Sequence, residues 1–436
     1  MNLYALIILT ALLADYLLNR IADVLNLRAV RTDVPAAFLG VYHPDAYSRA
    51  QKYLRTTTRF GLVESTATLT LLLVFWFGGG FSRLDQLVRA WQLGPIWSGL
   101  AYIGLLALLR ALFSLPFSAY ATFVIERRFG FNRTTPRTFV TDLLKALALA
   151  VLLGAPLLAG VLAFIGLAGP HAWLYCWGAT TAFALVVQFV APIWIMPLFN
   201  HFTPLPDGEL RKAILAYTAQ AAFPVGSLFV IDGSRRSTHS NAFVAGFGRY
   251  RRIALYDTLI AQHTIPELVG IVAHEVGHWK RRHLVTGLAL GIAHAGVMFF
   301  LLSRFLQTDG LFAAFGVEQA SAYAALVFFS LLYTPVELVL SVLLHLLSRR
   351  NEFAADRYAA TSTGDPEALA AALQKLSVHN LGNLTPHPLT VILHYSHPPV
   401  LERLRALCPP APCTAGASTP AAEAAPPRTR TPNRPG

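Results

Sequence analysis

A mainly α-helical, polytopic bundle of seven transmembrane helices is the fold class this sequence predicts, and three observations predict it. Of its 436 residues, 55% are hydrophobic and only 13% charged, with a mean hydropathy of +0.50. A soluble chain of that length needs far more charge to cover its surface. The apolar residues also come in blocks of about 20, enough to span a hydrocarbon core of about 30 Å. Finally, Lys and Arg concentrate in alternate loops, the pattern that orients multi-span proteins.

Taken in order, the apolar blocks predict spans over Leu3–Leu27, Gly61–Gly80, Ser98–Ile125, Leu143–Ala168, Trp173–Leu198, Leu284–Leu306 and Ala320–Leu347. The start, "MNLYALIILTALLADYLLNR", lacks a basic n-region and a small-residue cleavage site, so it reads as the first span rather than a removed signal peptide. The first loop carries Arg28, Arg31, Arg49, Lys52, Arg55 and Arg59, and the third carries Arg127, Arg128, Arg133 and Arg137. The second holds only Arg83 and Arg89, and the fourth holds no basic residue. This asymmetry predicts an outer N-terminus and a cytoplasmic insert between the fifth and sixth spans. The division expected is 1–198 for five spans and their basic loops, 199–283 for the insert and 284–348 for the last two spans. A second soluble segment follows over 349–407, then a Pro/Ala-rich tail over 408–436 without apolar periodicity, which reads as disordered. The tail's alanine richness points to a bacterial inner membrane.

The net charge of +12 raises the question of nucleic acid, but no basic helix or finger motif accompanies it, and membrane loops account for the excess. Cys176, Cys408 and Cys413 are too few and scattered for a disulfide framework. Cys176 reads as a small buried side chain within a span.

Two spans carry polar stripes at four-residue spacing: Asp15, Asn19 and Asp23 in the first, Glu337, Ser341 and His345 in the last. Such residues are costly at membrane depth. They predict either hydrogen bonds between neighbouring helices or a hydrated cavity enclosed by the bundle.

The chemistry starts at "HEVGH", His274 to His278. On a helix, two histidines four apart project from one face and bind one zinc, with Glu275 placed to take a proton from water at the metal. A catalytic zinc wants a third protein ligand. His278 precedes the sixth span by six residues and Glu352 follows the seventh by five. If both helices simply continue, these side chains stand at one height, roughly 8–9 Å beyond the spans. The competing reading of Glu352 is a surface carboxylate paired with Arg349 or Arg350. Asp356, one turn beyond Glu352, is placed to accept the free N–H of a ligand imidazole. An alternative of another class, a transporter or channel built on the intramembrane carboxylates, leaves these residues idle.

The sequence resembles the type I CAAX prenyl endopeptidases, seven-span zinc proteases related to the yeast a-factor-converting enzyme. The resemblance runs through "RAQKYLRTTTRFGLVESTATL", "FVIERRFGFNRTT", "PLFNHFTPLPDGEL", "DGSRRSTHSNAFVAGFGRYRRIALYDTL", "HEVGHW", "SRRNEFAADRYA" and "HYSHPPVLERL". It implies a cytoplasmic metallopeptidase domain with a small β-sheet and one Zn2+ per chain on His274, His278 and Glu352. It implies Glu275 as catalytic base and Asp356 as acidic partner, described for the family as a proton donor; the spacing favours an orienting role instead. "HSNAF" corresponds to the segment where a substrate peptide adds as a strand, with Asn241 and Ala242 as substrate contacts; the plain reading is a turn before a short strand. His397 corresponds to a histidine near the zinc, serving either the oxyanion or a structural hydrogen bond, and Arg403 is a weaker candidate for substrate contact. His283, His294, His387 and His394 read as structural or surface groups. The partners implied are a peptide or protein substrate, lipid-modified or membrane-inserted, and membrane lipid, with CAAX processing or membrane-protein quality control as the activity and no role for nucleic acid.

Overall fold

The computed structural model describes residues 1–246 and 251–408. The expectations for the tail beyond 408, including Cys413, and for residues 247–250 of the "FVAGFGRY" stretch lie outside the described residues. Among the described residues, six helices are long and apolar enough to cross a membrane: Leu3–Arg28, Pro44–Phe77, Pro95–Glu126, Pro136–Leu167, Gly169–Phe199 and His283–Phe305. A seventh span is a bent pair, Ala322–Leu332 and Thr334–Thr363, turned by 57°. The bend falls where Pro335 removes a backbone donor and crowds the preceding turn.

Counted as one broken span, that pair brings the described residues to the seven spans expected. Thr334–Thr363 then runs on without interruption past the apolar stretch, carrying Glu352 and Asp356 on its last turns. The sixth span behaves differently. The helix that bears "HEVGH" is Ile265–Lys280, and it stops before the span begins at His283. Arg282 sits between them at φ +60, a left-handed conformation that breaks the helix. The expectation that both ligand-bearing helices are straight continuations of spans thus holds for Glu352 alone.

Four of the six stripe residues, Asp15, Asn19, Glu337 and Ser341, line a cavity of 660 Å³ in the bundle together with His394 and apolar side chains; Asp23 and His345 do not, and Asp23 pairs with Arg20 at 3.1 Å. The stripes make few bonds between helices. Asn19 Nδ2 donates to the carbonyl of Asp15 on its own helix (2.8 Å), and Ser341 Oγ donates to Leu338 (2.9 Å). The exception is Glu337, whose Oε2 lies 3.1 Å from His294 Nε2 on the sixth span. Cys176 is buried, with its thiol 3.6 Å from the Val161 carbonyl.

At one end of the bundle lies a small sheet of β1 Phe202–Pro204, β2 Ser227–Ile231, β3 Ala242–Ala245 and β4 Arg252–Tyr256, in the order β1-β2-β4-β3. β2 and β4 run parallel, and β3 pairs antiparallel to β4 through Ala242–Leu255 to Ala245–Arg252. β3 is one of the two edge strands, and no described strand pairs with its far edge. The core under the sheet combines Ile253, Leu255, Leu268 and Val272 with Phe38, Tyr42 and Tyr47 from the first loop region and Phe129 and Phe131 from the third. These loops are thus part of the same hydrophobic unit as the insert, and the boundary expected at residue 199 does not divide the packing.

Helix Ile265–Lys280 is started by a capping box. The Thr264 side chain meets the Glu267 backbone, and Glu267 Oε2 accepts from the Thr264 N–H at 2.9 Å. Lys375 Nζ closes on Glu267 Oε1 at 2.7 Å. Burial pushes the Glu267 carboxyl up, but Lys375 and the Thr264 N–H outweigh it and hold it below its ordinary value. A carboxyl lowered in this way contributes stability above its unfolded pKa and loses it as pH falls through the folded one. Glu267→Gln is expected to cost about 1 kcal/mol at neutral pH, read as a lower melting temperature in detergent. The gap to wild type should narrow under acid.

Candidate metal centre and active site

Three elements place the polar side chains. Helix Ile265–Lys280 presents His274 and His278 one turn apart. Helix Thr334–Thr363 crosses it closely and presents Glu352 and Asp356. The segment after Tyr395 brings His397 and Arg403 over the top. Close crossing depends on Gly277: a Cβ there would meet Ala355 Cα and carbonyl oxygen at 3.1 Å.

His274, His278 and Glu352 each point one ligand atom to a common centre, with those atoms within 4.8 Å of one another. His274 Nε2 lies 3.1 Å from His278 Nε2 and 3.4 Å from Glu352 Oε2, and His278 Nε2 lies 3.2 Å from Glu352 Oε1. Both carboxylates are almost fully enclosed, Glu352 at 3% and Asp356 at 1% exposure. Glu352 Oε2 has no aligned hydrogen-bond donor, although His397 Nδ1 stands 2.8 Å away. Among the described residues this is the group able to hold a metal ion.

Behind the centre, Asp356 Oδ1 is 2.8 Å from His274 Nδ1. Arg403 Nε and Nη2 donate to the two Asp356 oxygens at 2.8 and 2.6 Å, and Nη1 lies 3.6 Å from Glu352 Oε2. Burial disfavours a charged His274, yet its contacts with Asp356 and Glu352 outweigh that and raise its pKa to about 9. Glu275, on the same helix turn, is also raised, because its burial outweighs the attraction of the two imidazoles. Arg349 does not pair with Glu352. Its Nη1 donates to the carbonyls of Val391 and Tyr395 at 2.8 and 2.6 Å, which pins the "HYSHPP" segment over the site.

A cleft of 150 Å³ is touched by Asn241, Ala242, Glu275, Glu352, His397 and Arg403, so every residue singled out for substrate contact reaches one space. Asn241 and Ala242 open the edge strand β3; the Asn241 side-chain oxygen accepts from the Ala242 N–H at 2.9 Å. Arg403 differs from expectation. Its guanidinium is taken up by Asp356, so it supports a carboxylate and offers the cleft only its edge. Two histidines have contacts that the sequence reading did not assign: His283, read as a structural or surface group, and His239, the first residue of "HSNAF". His283 Nδ1 lies 3.1 Å from His278 Nδ1. His239 stacks on Phe131 at 4.0 Å and meets Asn380 Oδ1 at 3.1 Å through Nδ1, which holds the approach to β3. The run "HWKRRH" was the available signal for His283, but five-residue spacing points away from His278 on an unbroken helix.

A bundle of membrane helices carrying an HExxH helix, with a glutamate on a distant helix closing the ligand set, defines a membrane metalloendopeptidase. Comparison with known proteins agrees. Residues 23–201 match the family described as CAAX prenyl protease N-terminal, five membrane helices, and residues 204–410 match peptidase family M48. The rice protein CAAX prenyl protease 1 homolog (Oryza sativa) is 36% identical, over 92% of this chain and 96% of its own. CAAX prenyl protease 1 of Saccharomyces cerevisiae is 32% identical, over 86% and 88%. The crystal structure of S. mikatae Ste24p superposes with a TM-score of 0.88 at 30% identity, covering 93% of this chain and 99% of that one. The chain belongs to the type I CAAX prenyl protease family of M48 peptidases. The family implies a bound metal, and these relatives do not favour the transporter alternative.

Gly277→Ala should force the two ligand helices apart, because the atoms it meets are backbone. The expected result is a loss of about 1–3 kcal/mol in stability together with weaker metal retention, measured by thermal melting and metal analysis. Gly270 lies on the same helix as Gly277 but faces Leu369 of helix Pro366–His379, whose backbone an added Cβ would meet at 3.3 Å; Gly270→Ala should lower stability while sparing metal.

Proposed function

We propose that the protein is a zinc endopeptidase that cleaves peptide bonds near the membrane-facing end of substrates with a lipophilic anchor, a lipidated tail or an apolar segment. The observation that carries this reading is the meeting of three ligand atoms from two helices. Zinc bonds to imidazole and carboxylate are about 2.0–2.1 Å, which sets neighbouring ligand atoms of a tetrahedron about 3.3–3.4 Å apart. The two Nε2 atoms are 3.1 Å apart, and Glu352 offers Oε2 at 3.4 Å to one and Oε1 at 3.2 Å to the other, close to that spacing; two imidazoles with one carboxylate are a donor set zinc uses in peptidases. His274, His278 and Glu352 would hold one Zn2+. Bound there, zinc supplies Lewis acidity, polarising a carbonyl and acidifying water.

The chain's own groups do the rest. Glu275 takes the proton of the attacking water on its carboxylate and returns it to the nitrogen of the leaving amine. Burial raises its pKa, which favours the protonated form that Glu275 must hold between the two transfers. Asp356 accepts the Nδ1 proton of His274 and so fixes the tautomer with Nε2 free, while Arg403 anchors Asp356. His397, 66% exposed at the mouth, is the donor available to an oxygen that gains negative charge. The open edge of β3 pairs with an extended substrate backbone, starting at Asn241 and Ala242. The basic loops lie at the same end as this site, which supports a cytoplasmic active site and an outer N-terminus.

The names of the relatives support CAAX-type substrates. The bundle cavity, polar on one wall and apolar elsewhere, supports shelter for a lipophilic end. The experiment compares wild type, Glu275→Gln and Glu352→Ala on a lipidated peptide with a C-terminal CAAX sequence and on the same peptide without lipid. Glu275→Gln should keep zinc and lose about 10²–10⁴-fold in turnover, the share typical of a general base; Glu352→Ala should lose both. Chelator treatment of wild type should abolish cleavage, and added zinc should restore it. Turnover by Glu275→Gln at the wild-type rate would remove the assigned base.

A further inference from the structure

Each imidazole ligand has a ring nitrogen facing away from the common centre, and each of those nitrogens has a partner. For His274 the partner is Asp356. For His278 it is His283: the two Nδ1 atoms lie 3.1 Å apart, with the rings edge-to-face at 77° and centroids 5.1 Å apart. His283 is the first residue of the sixth membrane span. On an unbroken helix a residue five positions on lies roughly 140° around the axis from His278 and cannot face it. The contact exists because Arg282, at φ +60, turns the chain and starts the span back toward the ring. A non-glycine residue in that region carries strain that the surrounding packing must offset.

We infer that His283 is a positioning residue for the metal centre, serving as the neutral acceptor that holds the Nδ1 proton of His278 and keeps its Nε2 turned to the metal. This inference rests on the zinc-site reading above and deepens it. The bond is directional. A lone pair on His283 Nδ1 accepts, so the His283 proton resides on Nε2, and both rings stay uncharged. An outer partner of this kind orients a ligand ring and raises its basicity. The arrangement gives the two imidazoles unlike support: a buried carboxylate backed by Arg403 for one, and a neutral ring carried by a membrane helix for the other. It also ties the centre to the lipid-embedded part of the chain on the histidine side, where the helix itself is interrupted. His283 further lines, with Glu275, His278 and Trp279, a pocket of 370 Å³ that continues onto Leu290 and Leu344 of the spans.

The test uses full-length protein in detergent, with zinc affinity measured by competition against a chromogenic chelator and the visible spectrum recorded after cobalt substitution. His283→Ala and His283→Phe are expected to bind zinc 10–100-fold more weakly, the range for loss of an outer partner, with altered cobalt bands. His283→Asn carries its oxygen where Nδ1 stood and should restore affinity to within a few-fold and recover the cobalt bands; His283→Gln carries it further out and should not. This pair of equal polarity decides the matter even if the alanine variant fails to fold. Wild-type affinity in the alanine and phenylalanine variants would overturn the inference, and so would rescue by glutamine but not asparagine. Glu352→Ala separates this from the reading beneath it. If wild type binds zinc, Glu352→Ala does not, and the His283 variants match wild type, only the positioning role fails. If Glu352→Ala retains zinc, or wild type holds none, both readings fall together.

Discussion

Two carboxylates almost wholly removed from solvent, Glu352 and Asp356, are the constraint around which the rest of this structure is arranged. Burying one ionised carboxylate costs several kcal/mol unless partners compensate it. Here Arg403 supplies a single positive charge, shared between Asp356 and, at longer range, Glu352. One cation against two anions leaves a negative balance, with Glu275 adjacent. The contacts of His274 with Asp356 and Glu352 outweigh its burial and raise its pKa to about 9, a sign of how strongly the cluster favours positive charge. A divalent ion closes the balance, and the same charge arithmetic that makes the cluster costly when bare makes it a strong cation site.

The fold meets this constraint by crossing two helices at a glycine. Gly277 lets Ile265–Lys280 approach Thr334–Thr363 until backbone lies against backbone, and the ligands then converge without long flexible reach. Rigidity comes from opposite directions. Glu352 rides on a helix continuous with the seventh span, whereas the histidine helix is capped at Thr264 and Glu267 and fastened to helix Pro366–His379 by Lys375. The sheet adds an open edge beside the centre, and the aromatic residues of the first and third loop regions fill its core. A peptidase unit and a membrane bundle thus share side chains, so neither is an appendage of the other.

The bend at Pro335 and the break at Arg282 have related consequences. The first lies within the seventh span and the second between the bundle and the site, and both turn chain directions that a straight helix would fix. Beyond the first, Glu337 and Ser341 line the bundle cavity, with Glu337 also reaching His294 on the sixth span. The second releases the histidine helix from the tilt of the sixth span and brings His283 under His278.

Much of this was written in the sequence. Apolar block length gave the spans, because a hydrocarbon core of fixed thickness leaves little freedom in length. The four-residue spacing of His274 and His278 gave their common face, because helix geometry sets it. The search for a third ligand led to Glu352, and the long family motifs supported it. Tertiary structure alone decided what depends on contacts between distant segments: the attachment of Arg403 to Asp356, the release of Arg349 from Glu352 to the Tyr395 carbonyl, and the turn that sets His283 against His278. Local periodicity is a property of one helix, so sequence reports it directly. The direction of a guanidinium, or of the helix after a left-handed residue, is fixed only when another part of the chain arrives to meet it.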